Sequence, residues 1–228
     1  MWNATVLSLF PEMFPGTLDF SLAGKALKNG IWSLKTINIR DFSDDRNGKV
    51  DDVPFGGGPG MVIKADVLHN ALRSVSNNEG PRIYLSPRGR KFDQQLAKNL
   101  SKKNGVVFIC GRYEGVDERF LISNDIEEIS IGDFILSGGE LAAQLMMDSI
   151  IRLLPNVVGN SEVLLDESFE TGLLEYPLYT QPRIWNNLEV PNILLSGDHK
   201  KIKMWKTKKS EMITKLKRPD LWEKYIKS

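Results

Sequence analysis

Short apolar runs alternate with amphipathic segments along the first 154 residues of the chain. Five runs have the length and the β-branched or alternating composition of strands, and they cover residues 5–10, 31–40, 82–86, 106–110 and 126–131. The segments between and after them repeat apolar residues every three or four positions and predict helices over residues 17–29, 64–76, 93–103, 116–123 and 140–154. Strands that alternate with helices predict an α/β fold with a mostly parallel sheet and helices on both faces.

Three predicted loops follow three of these strands, at residues 86–89, 111–115 and 131–139. Because the carboxyl ends of parallel strands meet at one edge of a sheet, these loops are expected to form one ligand pocket. Gly138 and Gly139 allow close backbone approach, and the helix that begins at Glu140 offers free N–H groups. The first strand leads into Phe-Pro-Glu-Met-Phe-Pro-Gly instead of a G-x-G-x-x-G loop, so the usual Rossmann cofactor site is missing.

Two long segments lack periodicity. Residues 41–60 end in Gly-Gly-Gly-Pro-Gly, and residues 156–180 are acidic. Loops longer than about 15 residues inside a compact domain are usually functional or disordered. Residues 41–60 therefore fit either a functional loop or a plain flexible linker.

The predicted helix over residues 140–154 is apolar on most of its surface. Glu140, Gln144, Asp148 and Arg152 are spaced by four and form one narrow polar stripe. Such a helix suits burial on two sides, and its second side is a candidate subunit interface. Asp148 and Arg152 are also correctly spaced for an ion pair.

The end of the chain is basic, whereas the rest is mildly acidic. Residues 1–170 carry 18 Lys and Arg against 23 Asp and Glu, and residues 171–228 carry 12 against 6. A lysine-rich helix is predicted over residues 198–217, and its apolar face is expected to consist of Ile202, Trp205, Met212, Ile213 and Leu216. The charge asymmetry favours a polyanionic partner, and a merely solvated lysine face is the alternative.

Composition also indicates the cellular compartment of the protein. The only cysteine, Cys110, lies in an apolar run and is expected to be an inert core residue. A single cysteine fits a reducing cytosol, and no apolar run approaches the ~20 residues of a membrane helix. The start of the chain also lacks the basic and apolar regions of a signal peptide. The sequence therefore predicts a cytoplasmic protein with no membrane partner.

Seven motifs, spread in order over nearly the whole chain, identify a family resemblance. They lie at residues 5–14, 50–61, 84–91, 111–119, 130–140, 172–182 and 190–199. Together they resemble the bacterial tRNA (guanine-N1)-methyltransferase family, TrmD, of the SPOUT superfamily. The resemblance implies a SPOUT methyltransferase domain with a trefoil knot over residues 1–159, a flexible linker at 160–172 and a small, basic, all-α tRNA-binding domain at 173–228.

The resemblance implies methyl transfer from S-adenosylmethionine to N1 of guanosine 37, just 3′ of the anticodon, by a homodimer whose active site is shared between subunits. This chemistry has clear requirements. Guanine N1 carries a proton at neutral pH, so a carboxylate base is needed. The negative charge that develops on O6 calls for a cation or an amide donor. The methyl donor is a sulfonium, so transfer itself needs mainly alignment.

The family motifs assign a set of residues to S-adenosylmethionine. These are Tyr84, Leu85, Ser86, Pro87, Gly111, Glu114, Ile131, Gly132, Asp133, Phe134, Ile135, Leu136, Gly138 and Gly139. Glu114 would lie near the methionine end and is a candidate ligand for the Mg²⁺ on which the family depends. Tyr113, beside it, either stacks on a base or packs within the protein.

Substrate contacts are expected from two other parts of the chain. Asp51 and Gly60 belong to the loop that the resemblance implies will close over the substrate. Lys200, Lys201 and Lys203 are predicted to contact phosphates of the anticodon arm.

The catalytic residues implied by the resemblance lie further along. Arg152 matches the arginine that stabilises O6, a role that competes with its pairing to Asp148. The family's base is usually an aspartate directly before Ser-Phe, but Glu167 holds that place here and Asp166 precedes it. Either carboxylate is a candidate base, and Glu167 is preferred because it holds the aligned position.

Three other functions fit parts of the sequence. The chain could methylate a different RNA position, or it could bind RNA without catalysis while keeping the same fold. A nucleotide-binding enzyme could use residues 56–60 as a phosphate loop, but the Gly-Lys-Ser/Thr ending of such loops is missing.

Overall fold

The structure is a computed structural model that describes residues 1–76, 79–159 and 167–227. Asp166, one of the two candidate bases, lies outside the described residues. The chain divides into two compact units, Met1–Gly159 and Asn160–Ser228. Among the described helices, none has the length and apolarity needed to cross a lipid bilayer.

The first unit alternates strands and helices. Its strands are β1 (Trp2–Ser8), β2 (Trp32–Asn38), β3 (Asp51–Asp52), β4 (Val62–Ile63), β5 (Arg82–Lys91), β6 (Gly105–Ile109) and β7 (Glu127–Ser130). Its α-helices are α1 (Ser21–Lys28), α2 (Ala65–Arg73), α3 (Gln94–Ser101), α4 (Glu118–Ser123) and α5 (Glu140–Ile151). Asp93 caps α3, because its carboxylate accepts a hydrogen bond from the Leu96 N–H at 2.8 Å.

Five of the strands form one sheet in the order β2-β1-β6-β5-β7, and every neighbouring pair is parallel. Side chains alternate between its two faces. Val106 and Phe108 of β6 belong to a core shared with α1, α3 and α5, whereas Val107 and Ile109 belong to a second core shared with α2 and α4. The predicted α/β fold with a mostly parallel sheet is confirmed.

The predicted loop at residues 86–89 is wrong. Strand β5 continues through it to Lys91, because the chain bulges and pairs with β7 a second time. Leu85 and Arg90 both have Ile129 as their partner in the register. Pro87 lies in the bulge, which is where a sheet tolerates a residue without an N–H.

The second unit contains α6 (His199–Lys217) and α7 (Pro219–Tyr225), together with a hairpin of β8 (Ile184–Trp185) and β9 (Leu188–Glu189). The prediction of an all-α segment did not include this hairpin. The predicted apolar face of α6 is wrong in part, since Met212 is 54% exposed and Leu216 is 79% exposed. The buried residues of α6 are Ser210 and Thr214, and the Thr214 hydroxyl accepts a hydrogen bond from the Leu174 N–H at 2.8 Å.

Candidate functional site

A cavity of about 380 Å³ opens at the carboxyl ends of β6 and β7, beside the bulge in β5. This volume is within the range of small-molecule and cofactor sites. Of the residues assigned to S-adenosylmethionine by motif, all but Asp133 line the cavity. The lining comes from residues 84–88 of β5 and from the loops at 111–115 and 131–139. These segments were predicted to meet at one edge of the sheet.

Asp133 makes a different contact. Its carboxylate pairs with Lys91 Nζ at 2.7 Å, at an exposed position on the extension of β5. The assignment of Asp133 to the cavity is therefore not supported by its position. Arg88, which the sequence analysis missed, does line the cavity and makes ion pairs with Glu118 and Glu128. It lies inside the motif at residues 84–91, and that motif was the signal that could have identified it.

Tyr84 forms a buried part of the cavity wall. Burial raises the pKa of its phenol to about 12, so the hydroxyl is neutral throughout the physiological range. Its ring lies against the glycine loop of residues 111–115. A Cβ atom at Gly111 would lie 2.7 Å from the Tyr84 hydroxyl oxygen, which explains why a glycine is needed there.

Gly111→Ala is expected to weaken binding of S-adenosylhomocysteine by at least tenfold, since the added methyl group displaces the Tyr84 ring, which forms part of the cavity wall. Isothermal titration calorimetry measures this affinity. Gly159→Ala is the matched control, because a Cβ at Gly159 meets no atom of the described residues within 4 Å. A dissociation constant equal to that of the wild type in Gly111→Ala would contradict the close contact.

The glycine-rich segment before β4 is joined to the cavity loop. The Glu114 N–H donates to the Met61 carbonyl at 3.0 Å, and the Ile63 N–H donates to the Gly115 carbonyl at 3.0 Å. The side chain of Glu114 packs against Gly60. The half-buried Asp51 lies in β3, which pairs with β4 at Ile63. The predicted substrate loop is thus anchored next to the cavity, and its two named residues flank that anchor.

Arg152 and Glu167 are not among the described residues that line this cavity. Arg152 follows the last residue of α5, whose 12 residues span ~18 Å from the cavity end at Gly139. Arg152 is therefore remote from the cavity of its own chain. Glu167 is half-buried and belongs to the second unit.

Comparisons with known proteins identify the family to which the whole chain belongs. Residues 2–224 match the family described as tRNA (Guanine-1)-methyltransferase TrmD. The chain belongs to the TrmD family. Relatives named tRNA (guanine-N(1)-)-methyltransferase include proteins of Pelagibacter ubique, 57% identical over 100% of both chains, and of Rhodospirillum rubrum, 53% identical over 98% of this chain and 94% of the relative. A third, from Bartonella tribocorum, is 52% identical over 100% of this chain and 97% of its own.

Membership of the TrmD family confirms the resemblance drawn from the seven motifs, and with it the assignment of the chain to a class of methyltransferases. The family implies S-adenosylmethionine as the methyl donor. Within residues 1–76, 79–159 and 167–227, no group of three or more His, Cys, Asp and Glu side chains is arranged to hold a metal ion.

The lysines predicted to bind tRNA lie on the first turns of α6. Lys200, Lys201 and Lys203 are all exposed. Asp198 caps this helix by accepting a hydrogen bond from the Lys201 N–H at 3.0 Å, and this bond lowers the pKa of its carboxyl. The Lys201 ammonium also lies 3.1 Å from the Asp198 carboxylate. An exposed cation of this kind gains little from the pair and can exchange it for a phosphate.

Proposed function

We propose that this protein transfers the methyl group of S-adenosylmethionine to N1 of guanosine 37 in tRNA. The observation that carries the proposal is the cavity at the carboxyl edge of the parallel sheet, lined by the glycine loops of a TrmD-family chain. The proposal includes the trefoil knot of the SPOUT fold within residues 1–159, a linker at 160–172 and a tRNA-binding role for residues 173–228.

The cavity suits a nucleoside with an uncharged base. Tyr84 and Leu85 offer an aromatic and an aliphatic wall, and the backbone of residues 111–115 and 131–139 can approach a ligand closely. When bound, S-adenosylmethionine supplies a methyl group on a positively charged sulfur. The role of the cavity residues is then to orient that methyl group and to exclude water.

Proton removal and charge stabilisation are assigned to a carboxylate of the linker and to Arg152. Glu167 accepts the N1 proton of guanine, with Asp166 as the alternative base. Arg152 donates hydrogen bonds to O6, where negative charge develops as the proton leaves. Together these residues make N1 a nucleophile when guanine is bound beside them.

The length of α5 supports an active site shared between two subunits. Arg152 is ~18 Å along α5 from the cavity end at Gly139. The proposal therefore assigns the Arg152 that acts at one cavity to the partner subunit. The exposed side of α5 carries Leu141 and Leu145, 52% and 46% exposed, whereas Glu140 and Gln144 are buried. An outer face with leucines on it is suited to a homodimer interface.

Magnesium is proposed as a second cofactor. Mg²⁺ keeps several water ligands and usually takes one or two protein carboxylates together with groups of the substrate. The exposed carboxylate of Glu114 at the cavity can supply such a ligand.

The proposal is tested with purified protein and unmodified tRNA transcripts that carry either guanosine or adenosine at position 37. Methylation of the guanosine transcript alone is the expected result. Methylation of both would indicate a different target position. Binding of tRNA without binding of S-adenosylmethionine in calorimetry would indicate an RNA-binding protein without this activity.

The variant Lys200→Glu/Lys201→Glu/Lys203→Glu is expected to weaken tRNA binding by at least tenfold at low salt. The reason is the loss of phosphate contacts, each of which contributes ~0.7–0.9 to the slope of log K against log salt. The magnitude of this negative slope, measured by filter binding between 50 and 200 mM salt, should therefore fall by about 2–3.

Its matched control is Lys25→Glu/Lys28→Glu/Lys102→Glu, which changes the net charge equally at three exposed lysines of the first unit. The control should keep the wild-type slope. Equal losses in both variants would mean that net charge, and not the start of α6, attracts the tRNA.

A further inference from the structure

A buried carboxylate lies directly behind the cavity. Glu140, the first residue of α5, is 1% exposed. Its Oε1 atom accepts a hydrogen bond from the Ser8 hydroxyl at 2.7 Å, and its Oε2 atom lies 2.9 Å from Arg112 Nε. Ser8 ends β1 and Arg112 lies in the loop after β6. One carboxylate therefore connects three segments at the carboxyl edge of the sheet.

Arg112 extends from one cavity loop to the other. It belongs to the loop at 111–115, and its Nη1 atom donates to the Ser137 carbonyl of the loop at 131–139 at 3.3 Å. Its guanidinium lies 4.5 Å from the centre of the Phe10 ring and its Nη2 atom lies 3.3 Å from the sulfur of Met13. Arg112 and Ser137 both line the cavity.

The loops are packed closely around this pair. A Cβ atom at Gly138 would overlap Arg112 and Glu140, so the chain passes the pair with no room for a side chain. The Gly139 N–H donates to the Gly111 carbonyl at 3.0 Å, which joins the two loops at their bases. A change in the position of Arg112 or Glu140 must therefore displace both loops.

The energetics of the pair argue against a purely stabilising role. Burial of two charges costs several kcal/mol for each ion, which their attraction offsets only when their hydrogen bonds are well made. Arg112 Nε and Glu140 Oε2 have no aligned hydrogen-bond partner among the described residues, despite their short separation. Two apolar side chains of similar size would hold the core at least as well. The feature that an apolar pair could not reproduce is the polar bridge to Ser8 and Ser137.

We propose that Arg112 and Glu140 are positioning residues that fix the separation of the two cavity loops and thereby set the affinity for the methyl donor. The proposal rests on the function proposed above, since it takes S-adenosylmethionine as the ligand of the cavity. The pair acts through the loop backbone, so it affects donor binding and leaves tRNA binding unchanged.

The test compares Glu140→Gln with the double variant Arg112→Met/Glu140→Leu. Both are expected to weaken binding of S-adenosylhomocysteine by at least tenfold in calorimetry. The KM for S-adenosylmethionine should rise while the KM for tRNA stays at the wild-type value. The thermal unfolding midpoint should fall in Glu140→Gln, which leaves the half-buried Arg112 without its counter-charge, and should return towards the wild type in the double variant.

Glu127→Gln is the matched control, because it neutralises a glutamate that pairs with Arg90 near the surface of the same sheet. A double variant with wild-type stability and wild-type affinity for S-adenosylhomocysteine would overturn the inference, since the pair would then be a structural element only. If either variant is unfolded at the assay temperature, Ser8→Ala replaces it as the test of the positioning role. It removes one hydrogen bond to Glu140 and should weaken affinity about threefold, whereas unchanged affinity would overturn the inference.

The two proposals fail in different ways. If wild-type protein does not bind S-adenosylhomocysteine, the proposed function fails. If wild-type protein binds it and the variants bind it equally well, only the positioning role of Arg112 and Glu140 fails.

Discussion

Glu167→Gln is expected to lower the rate constant of methyl transfer by ~10²–10⁴-fold, the usual contribution of a general base. Glutamine keeps the size of the side chain but cannot accept the N1 proton of guanine, so N1 stays a poor nucleophile. Single-turnover experiments with saturating S-adenosylmethionine and tRNA isolate this step from product release. The affinities for both substrates should be close to those of the wild type.

Two nearby variants serve as controls for this result. Asp166→Asn alters the adjacent carboxylate, and Glu170→Gln makes the same chemical change three residues along the chain. Both should retain methyl transfer within about threefold of the wild type. If Asp166→Asn alone abolishes the chemical step, Asp166 is the base and the assignment to Glu167 is wrong.

Arg152→Ala is expected to lower the same rate constant by ~10²–10³-fold, the loss seen when one donor to a developing oxyanion is removed. Affinity for S-adenosylhomocysteine should not change, because the proposed partner of Arg152 is O6 of guanine and not the methyl donor. Arg152→Lys should recover only part of the rate, since an ammonium group lacks the planar fork of donors in arginine.

Mixed dimers test whether Arg152 acts across the subunit interface. Arg152→Ala and Gly111→Ala subunits are each expected to be weakly active alone. In a dimer of one of each, the intact cavity of the first faces the intact Arg152 of the second. Activity should therefore return in one site per dimer. If mixing restores nothing, Arg152 acts within its own chain or has no catalytic role.

The strands of the sheet could be predicted because each is recognisable from a short stretch of consecutive residues. Buried parallel strands are short continuous apolar runs, and the run at residues 106–110 is buried throughout. Their order along the chain then brings the loops at 111–115 and 131–139 to one edge, which is why most of the cavity was foreseen.

The errors arose where distant residues decide the outcome. The sequence placed Glu140 and Gln144 on one polar stripe but did not reveal that both are buried, with partners at Ser8 and the Met13 carbonyl more than 130 positions away. The pattern of residues within α5 carries no information about partners that lie so far away in the sequence. The continuation of β5 through Pro87 likewise depends on its second pairing with β7.

The length of α5 has a consequence for inhibition of the protein. Its first residue is behind the donor cavity and Arg152 follows its last, so each cavity is completed only by a second copy of the helix in the proposed dimer. A compound that separates the leucine-bearing faces of two α5 helices would then stop methylation without occupying either donor cavity. Such an inhibitor would not compete with S-adenosylmethionine, and raising the concentration of the donor would not relieve it.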